Sequence, residues 1–377
     1  MRSTHDIAIV GAGIVGAACA VECARNSLKV LVLDRGPVGG GATATGMGHV
    51  VVMDDSEAQL ALTSFSGRLW HACAQGLPAD AEYSRCGTLW VAADEPEMAE
   101  VLRKQKVYAG RGVRAQVLDG PALAEAEPNL RPGLVGGLCV VDDAVVYPPA
   151  VARHLLDQAK ALGAEVRTGV EVRSVTSDGD VLLADGTRLS AGRVINAAGC
   201  GAQNLTPDLP VRGRKGHLVV TDRYPGYVRH QIVELGYLKS AHALSTDSVA
   251  FNCQPRATGQ VLIGSSRQFG RDGTEVEPGL VRRMLLRAQE YLPSLGRLSA
   301  IRSWAGHRPA TPDKLPFIGP SPASDRVWLA AGHEGLGITT CLATARLIVD
   351  LMFGRPTEIP AGPYLPARMA KGEVSCG

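Results

Sequence analysis

Residues Asp6 to Arg35, DIAIVGAGIVGAACAVECARNSLKVLVLDR, constrain the architecture more than any other stretch of this chain. Ile7 to Val10 is a short apolar run with the composition of a buried strand. Gly11, Gly13 and Gly16 follow it in G-x-G-x-x-G spacing as the pattern turns helical. The first glycine permits a tight turn, the second lets backbone approach a pyrophosphate, and the third lets helix and strand pack closely. At Ile14 and Val15 the helix start offers N–H groups and the positive end of its dipole to phosphates. A second strand, Lys29 to Leu33, ends at Asp34, where a carboxylate can accept ribose hydroxyl hydrogen bonds, with Arg35 beside it. A glycine-rich turn without a ligand is the plainer reading. Strand, helix, second strand and acid all falling in order argue instead for a dinucleotide site.

The chain has 377 residues, long for one core, which predicts two intimately connected domains or one large domain with an insertion. Its 39 basic and 37 acidic residues leave a net charge of +2, so electrostatics give no case for nucleic acid. The nine cysteines are scattered without a C-x-x-C pair or metal-ligand spacing, and no metal site is expected. Cys19 and Cys23, one turn apart in the nucleotide helix, read as small packing residues. The first strand starts by Ile7, which leaves no signal peptide, and no run of about 18 apolar residues exists to form a transmembrane helix. The expectation is a cytoplasmic protein with reduced thiols, peripheral contact with the inner face of the membrane staying open.

Beyond Asp34, the small residues of RGPVGGGATATGMGHVVV would let backbone pass close to a cofactor at Ala42, Thr43, Ala44, Met47 and Gly48; a plain glycine loop is the alternative. Helical patterning covers Ser56 to Ala74 and Glu95 to Ala109, and a strand at Cys86 to Ala92 opens a second, sheet-containing region. Pro148 to Gly163 reads as a helix. Val172 then falls in a strand, Asp178-Gly179 and Asp185-Gly186 make turns, and Arg193 to Ala197 is a buried strand running into Ala198-Gly199. HLVVT, SVAFNCQPR and QVLIGSS predict an antiparallel sheet, and Pro278 to Leu292 an amphipathic helix. Val327 to Phe353 reads as a strand, a glycine loop and an apolar helix. The expected fold is mixed α/β. A Rossmann-like dinucleotide domain comes from residues 1–80, 148–208 and 300–360, an interleaved antiparallel-sheet substrate domain from 81–147 and 209–299, and an extended or partly ordered tail from 361–377.

Four further motifs stand in order: INAAGCGAQ at Ile195 to Gln203, QVLIGSS at Gln260 to Ser266, RSWAGHRPATPDKLPFIGP at Arg302 to Pro320, and AAGHEGLGITTCLATARLIVDLM at Ala330 to Met352. With the fingerprint, they make the chain from Asp6 to Phe353 resemble the D-amino-acid oxidase superfamily of FAD enzymes, the branch of glycine oxidase, sarcosine oxidase and D-amino-acid dehydrogenases. LGYLKSAHA at Leu235 to Ala243 and FNCQPRATGQVLIGSSRQF are most similar to D-hydroxyproline dehydrogenases, whose flavin subunit can associate with other subunits. The resemblance implies FAD rather than NAD. Sarcosine-oxidase-type relatives attach flavin through a cysteine near this region, and Leu315 to Gly319 has none, so noncovalent FAD is expected. Cofactor contacts are implied at Ala197, Ala198, Gly199 and Gly306, at Gly332 and His333, and along the helix start at Gly335, Leu336, Gly337, Ile338 and Thr339.

The reaction implied is hydride removal from the α-carbon of an amine, giving an imine that water hydrolyses. Arg308 matches the arginine that forks the substrate carboxylate, and Tyr237 and Asn252 are candidates for the sheet above the substrate. Glu334 reads as an acceptor for the substrate ammonium or a ring hydroxyl, or as a solvated loop acid. His49 and His333 read as acceptors of the amine proton or as structural residues. The expected partners are a small amino-acid substrate, D-hydroxyproline or D-proline first, with accessory electron-transfer subunits and oligomers open. Glycine or sarcosine oxidation with oxygen, and a noncatalytic FAD-holding subunit, are the rivals.

Overall fold

The computed structural model describes residues 5–236 and 247–371. Two sheets of eight strands each organise these residues. In the first, the fingerprint strand His5–Val10 lies between Val30–Asp34 and Arg188–Asn196, parallel to both, and Glu165–Thr168 and Ser324–Ala331 extend the parallel run on either side. Ile7 to Val10 and Val30 to Leu33 are buried without interruption, as strands covered on both faces must be. One face is covered by the helices Ile14–Arg25, Pro148–Ala161 and Gly337–Met352. The other packs Ala8, Val10, Leu31 and Leu33 against Val181 and Val194 of the connecting meander. Helix Ile14–Arg25 uses Ala17, Ala18, Cys19, Ala20, Cys23 and Ala24, all buried, because it is wedged between sheet and neighbouring helices and has room only for small side chains. The segment Glu334–Met352 is long and apolar enough to cross a membrane, but here Cys341, Ala345, Leu347, Ile348 and Val349 of its helix belong to the core.

The second sheet runs, in spatial order, Ala300–Ala310, Arg212–Arg223, Gln260–Arg267, Ser248–Pro255, Gln231–Glu234, Thr88–Ala92, Gly136–Val140 and Ala115–Asp119. All neighbours are antiparallel except Gln231–Glu234 beside Thr88–Ala92, which pair parallel. Helix Pro278–Tyr291 places Leu280, Met284, Ala288 and Tyr291 on one stripe, and the last three pack on Val219, Phe251, Cys253 and Ile263. That leaves the sheet's opposite face to the cleft.

One sequence expectation changes and another is narrowed. Strand Ala300–Ala310, placed with the nucleotide domain, is hydrogen-bonded along Arg212–Arg223 as the edge of the second sheet, so the chain returns to the first sheet only after Ala310. The tail, expected to be extended or partly ordered, takes the ordered form through residue 371: Tyr364 is buried, its hydroxyl donates to the Ala58 carbonyl at 2.6 Å, and Arg368 Nε donates to Asp313 at 2.6 Å. Prolines punctuate this segment into short turns without removing its apolar anchors.

Candidate active site

Gly11, at φ 116°, and Gly16 meet each other and the Ala197 carbonyl so closely that a Cβ on either would collide with backbone. Those two glycines let the strand, the helix and the neighbouring strand end at Ala197 come together. Gly13 differs: it caps helix Ile14–Arg25 with no side-chain bond, and the helix's first turn carries no acid. Thr43 Oγ1 accepts the Ile14 N–H at 3.0 Å. The N–H groups of Val15 and Gly16 have no intrahelical acceptor, which suits them to phosphate. Asp34 accepts the Ala12 N–H through Oδ2 at 2.6 Å and the Gly36 N–H through Oδ1 at 2.7 Å. Each oxygen retains a second lone pair for a ribose hydroxyl. The bare helix start and the braced acid fit a dinucleotide. Val170 donates to the Asp34 carbonyl at 2.9 Å, which brings Val172 to the same strand end, and Ala198 N–H reaches Asn196 Oδ1 at 3.3 Å just before Gly199. Arg35 is exposed, 4.0 Å from Glu171.

The short helix Ala42–Thr45 carries the chain past this point. Met47 then packs with Leu218, Leu262 and Trp304 of the second sheet, and Gly48 leads into strand His49–Val50, which pairs with Ala144–Val145. Gly306 lies against Thr45, where no Cβ would fit. Thr339 staples this segment from behind: its Oγ1 donates to the His49 carbonyl at 2.9 Å and accepts the Val51 N–H at 3.2 Å.

A cleft opens between the two sheets. On one side stand His49, Val51, Met53, Asp55 and Gln59, with His333 to Leu336 at the entry to helix Gly337–Met352. Trp90, Val233 and Asn252 form the opposite wall as one cross-strand row, with Gln231 two residues along from Val233. Trp90 Nε1, Gln231 Oε1 and Asn252 Oδ1 are buried with no hydrogen-bond partner among the described residues. Behind Trp90, the fully buried Lys104 sets its ammonium 4.7 Å from the indole centroid and against Asp54, and Tyr108 donates to the Val52 carbonyl at 3.1 Å. The wall is therefore held rigidly.

Four cations also line the cleft: Arg214, Arg267, Arg308 and Lys314. Arg308 stands directly opposite Arg214 in the register of the two edge strands, and its Nη1 donates to the Ser266 carbonyl at 3.2 Å. Arg214 is 4% exposed and donates to Glu334 Oε1 at 2.6 Å, with its guanidinium 4.7 Å from the Phe269 ring centroid. Glu334 is thus an ion-paired residue, not a solvated loop acid. Burial and then the Arg308 charge lower the His49 pKa to about 4. Burial lowers that of His333 to about 3, and its Nε2 sits 3.0 Å from Thr344 Oγ1. Neither histidine has the near-neutral pKa that a base for the amine proton was expected to supply.

A family model described as FAD dependent oxidoreductase (DAO) matches residues 6–351. The chain belongs to that family. Glycine oxidase from Pseudomonas aeruginosa is 29% identical across 97% of this chain and 99% of its own length. The crystal structure of glycine oxidase from Geobacillus kaustophilus superposes with a TM-score of 0.86 at 26% identity, covering 97% of this chain and 98% of that one. L-proline dehydrogenase from P. horikoshii shares the fold, with a TM-score of 0.89 at 21% identity over 99% of this chain and all of the other.

As a family member, the chain is an FAD-dependent oxidoreductase, and its mixed α/β fold agrees with the sequence expectation. The structure brings His49, Asn252, Arg308, His333 and Glu334 to one cleft, together with Gly335 and Leu336. Tyr237 lies outside the described residues. Gly332, Gly337 and Ile338 flank the loop that enters the cleft; Gly332 has φ 78°. Among the described residues, no cysteine lines the cleft. Sequence reasoning missed Trp90, Arg214, Gln231, Arg267 and Lys314. Neither arginine carried a local signal: Arg214 stands beside Arg212, Lys215 and His217 in the polar half of its strand, and Arg267 is the last residue of its own.

Proposed function

We propose that this protein is a dehydrogenase of a cyclic D-amino acid, D-hydroxyproline or D-proline, passing electrons onward to a quinone or to an accessory subunit. The observation that carries this reading is the wall of three buried, unpartnered polar atoms, on Trp90, Gln231 and Asn252, in the same cleft as Arg308. Buried polar groups call for partners, and a ligand that completes them binds selectively. Arg308 takes the α-carboxylate bidentately, a role its planar fork suits. Asn252 Oδ1 and Gln231 Oε1, both acceptors, take the N–H of the substrate amine. Trp90 Nε1 donates to an oxygen that glycine lacks. Bound FAD supplies the hydride acceptor at ring N5. The chain's own contribution is orientation: a cleft walled on two sides presents the α-C–H in one direction and excludes bulk water. His49 and His333, their pKa values lowered by burial, are poor proton acceptors, so the substrate form taken up is the amine that has already lost its proton to solvent. The D configuration rests on the resemblance of the Leu235–Ala243 segment and its neighbours.

A second reading, oxidation of glycine or sarcosine by oxygen, is favoured by full-length glycine oxidases at 29% identity. Anaerobic mixing of the FAD-loaded protein with D-proline, cis-4-hydroxy-D-proline, glycine and sarcosine separates the two. Rapid loss of flavin absorbance near ~450 nm with the ring compounds alone is the expected result. Reduction by glycine and not by the ring compounds would replace this reading with the second.

A further inference from the structure

We propose that Glu334 is a specificity-determining residue that bars substrates carrying a second carboxylate, by neutralising Arg214 beside the arginine that takes the first. This rests on the reading above, in which Arg308 holds the α-carboxylate. Arg214 and Arg308 stand directly opposite each other on the paired strands Arg212–Arg223 and Ala300–Ala310, so their side chains leave the sheet on the same face. They then diverge. Arg308 leans over Gly216, where an added Cβ would meet its guanidinium, and its Nη1 donates to the Ser266 carbonyl at 3.2 Å. Arg214 donates to Glu334 Oε1 at 2.6 Å and sets its guanidinium 4.7 Å from the Phe269 ring centroid. The loop that brings Glu334 passes both arginines: a Cβ on the adjoining Gly335 would lie 3.8 Å from Arg308 Cδ and 3.9 Å from its Nε.

The backbone gives an independent sign that an acid belongs at this position. Glu334 has φ 48°, in the left-handed region that glycine and asparagine adopt far more readily, although Gly335 is the next residue in the chain. A charged residue kept in such a conformation points to a role for its side chain. Arg214, 4% exposed, needs a counter-charge, and without one it would offer a second carboxylate what Arg308 offers the first, a planar array of donors. With Glu334 in place that charge is cancelled, and an acid stands where the second carboxylate would have to come. Such a substrate meets repulsion instead of a partner. Arg267 and Lys314, the other cations of the cleft, are engaged as well, and Asp55 adds a second acid on the side that carries Glu334. Proline and hydroxyproline carry one carboxylate and are admitted. Aspartate and glutamate are not.

The test compares the FAD-loaded wild type with Glu334→Gln, Glu334→Asp, Arg214→Gln and the double variant Arg214→Gln/Glu334→Gln, each checked for FAD content and circular dichroism. For Glu334→Gln, the ratio of kcat/KM with D-aspartate or D-glutamate to that with D-proline should rise on the order of 10- to 100-fold, the value of a hydrogen bond to a charged group. Glu334→Asp, which keeps the charge, should keep most of the exclusion, and the double variant, which has no cation to offer, should lose the gain. A wild type that oxidises the dicarboxylates as well as D-proline would overturn the assignment. So would a ratio left unchanged in Glu334→Gln, the outcome of a merely structural ion pair, or a gain that survives in the double variant. Arg214→Gln covers the case in which Glu334→Gln fails to fold: it leaves the acid unopposed and should lower the ratio, and a rise would overturn the proposal. A binding titration keeps the question separate from turnover: tetrahydrofuran-2-carboxylate and tetrahydrofuran-2,5-dicarboxylate, neither able to form an imine, are followed by their perturbation of flavin absorbance. Wild type should bind the monocarboxylate more tightly, and Glu334→Gln should narrow or reverse that preference; an equal preference in both proteins would overturn the role of Glu334. If neither proline derivative reduces wild-type flavin, the proposed function fails, and this titration still decides the role of Glu334.

Discussion

A methyl group at Gly216 would collide with the guanidinium of Arg308, to which its three nearest atoms all belong. Because the obstacle is the end of a side chain, Gly216→Ala should displace Arg308 rather than unfold the sheet. The expected outcome is a rise in KM on the order of tenfold or more with FAD content and melting temperature nearly unchanged, measured by steady-state kinetics and thermal denaturation. Asp143 offers a different residue-level test. Its Oδ1 accepts the Val52 N–H at 3.1 Å, its other oxygen has no partner among the described residues, and burial raises its pKa from 3.8 to about 7. The folded protein therefore binds a proton there that the unfolded chain has lost. Stability from this group is complete below about pH 4 and disappears as pH rises through 7, an effect of at most on the order of 4 kcal/mol. Denaturant titrations at pH 5 and pH 8 should show wild type losing stability at the higher pH and Asp143→Asn losing much less. Arg308 and Asp34 could be singled out in the sequence because each sits in a motif of fixed spacing. Arg214 could not, because the acid that explains it is Glu334, 120 residues further along the chain.

Helix Gly337–Met352 carries both cleft and core. Its Thr339 hydroxyl holds strand His49–Val50 and Val51 through two hydrogen bonds, and its carbonyl accepts from Ser66 and Trp70. Thr339→Val keeps the shape and removes the hydroxyl, so it should cost roughly 1–3 kcal/mol of stability. It should also weaken FAD retention, read as flavin released on gel filtration. Elements with strong local signals were legible in sequence: helical patterning marked Ser56 to Ala74 and Glu95 to Ala109, and in the structure Ser56 and Asp94 cap these two helices through the Gln59 and Glu97 N–H groups. The membership of Ala300–Ala310 was not legible. Its residues are as exposed and polar at one end as any edge strand, and only the register with Arg212–Arg223 decides which sheet it joins. The tail was half legible, its prolines leaving extended and ordered forms both open until the buried anchor Tyr364 decides between them.

At the scale of the whole molecule, FAD should act as a structural component as well as a reagent. A ligand that binds only the folded state stabilises it by RT ln(1 + [L]/Kd), about 2.7 kcal/mol at a hundredfold excess over Kd. Protein stripped of flavin should melt several degrees lower and recover on FAD addition with a concentration-dependent midpoint; a midpoint indifferent to FAD would show that the nucleotide cradle is not engaged. The cleft draws its walls from residues 49–59, from Trp90, from 214–267 and from 308–336, nearly the whole length of the chain. Loop closure of that extent is slow relative to forming any single helix or hairpin. Catalytic competence is then the last property a refolding molecule regains, trailing the return of secondary structure. The same wiring makes activity a stricter witness of the native state than any spectroscopic signal from one half of it.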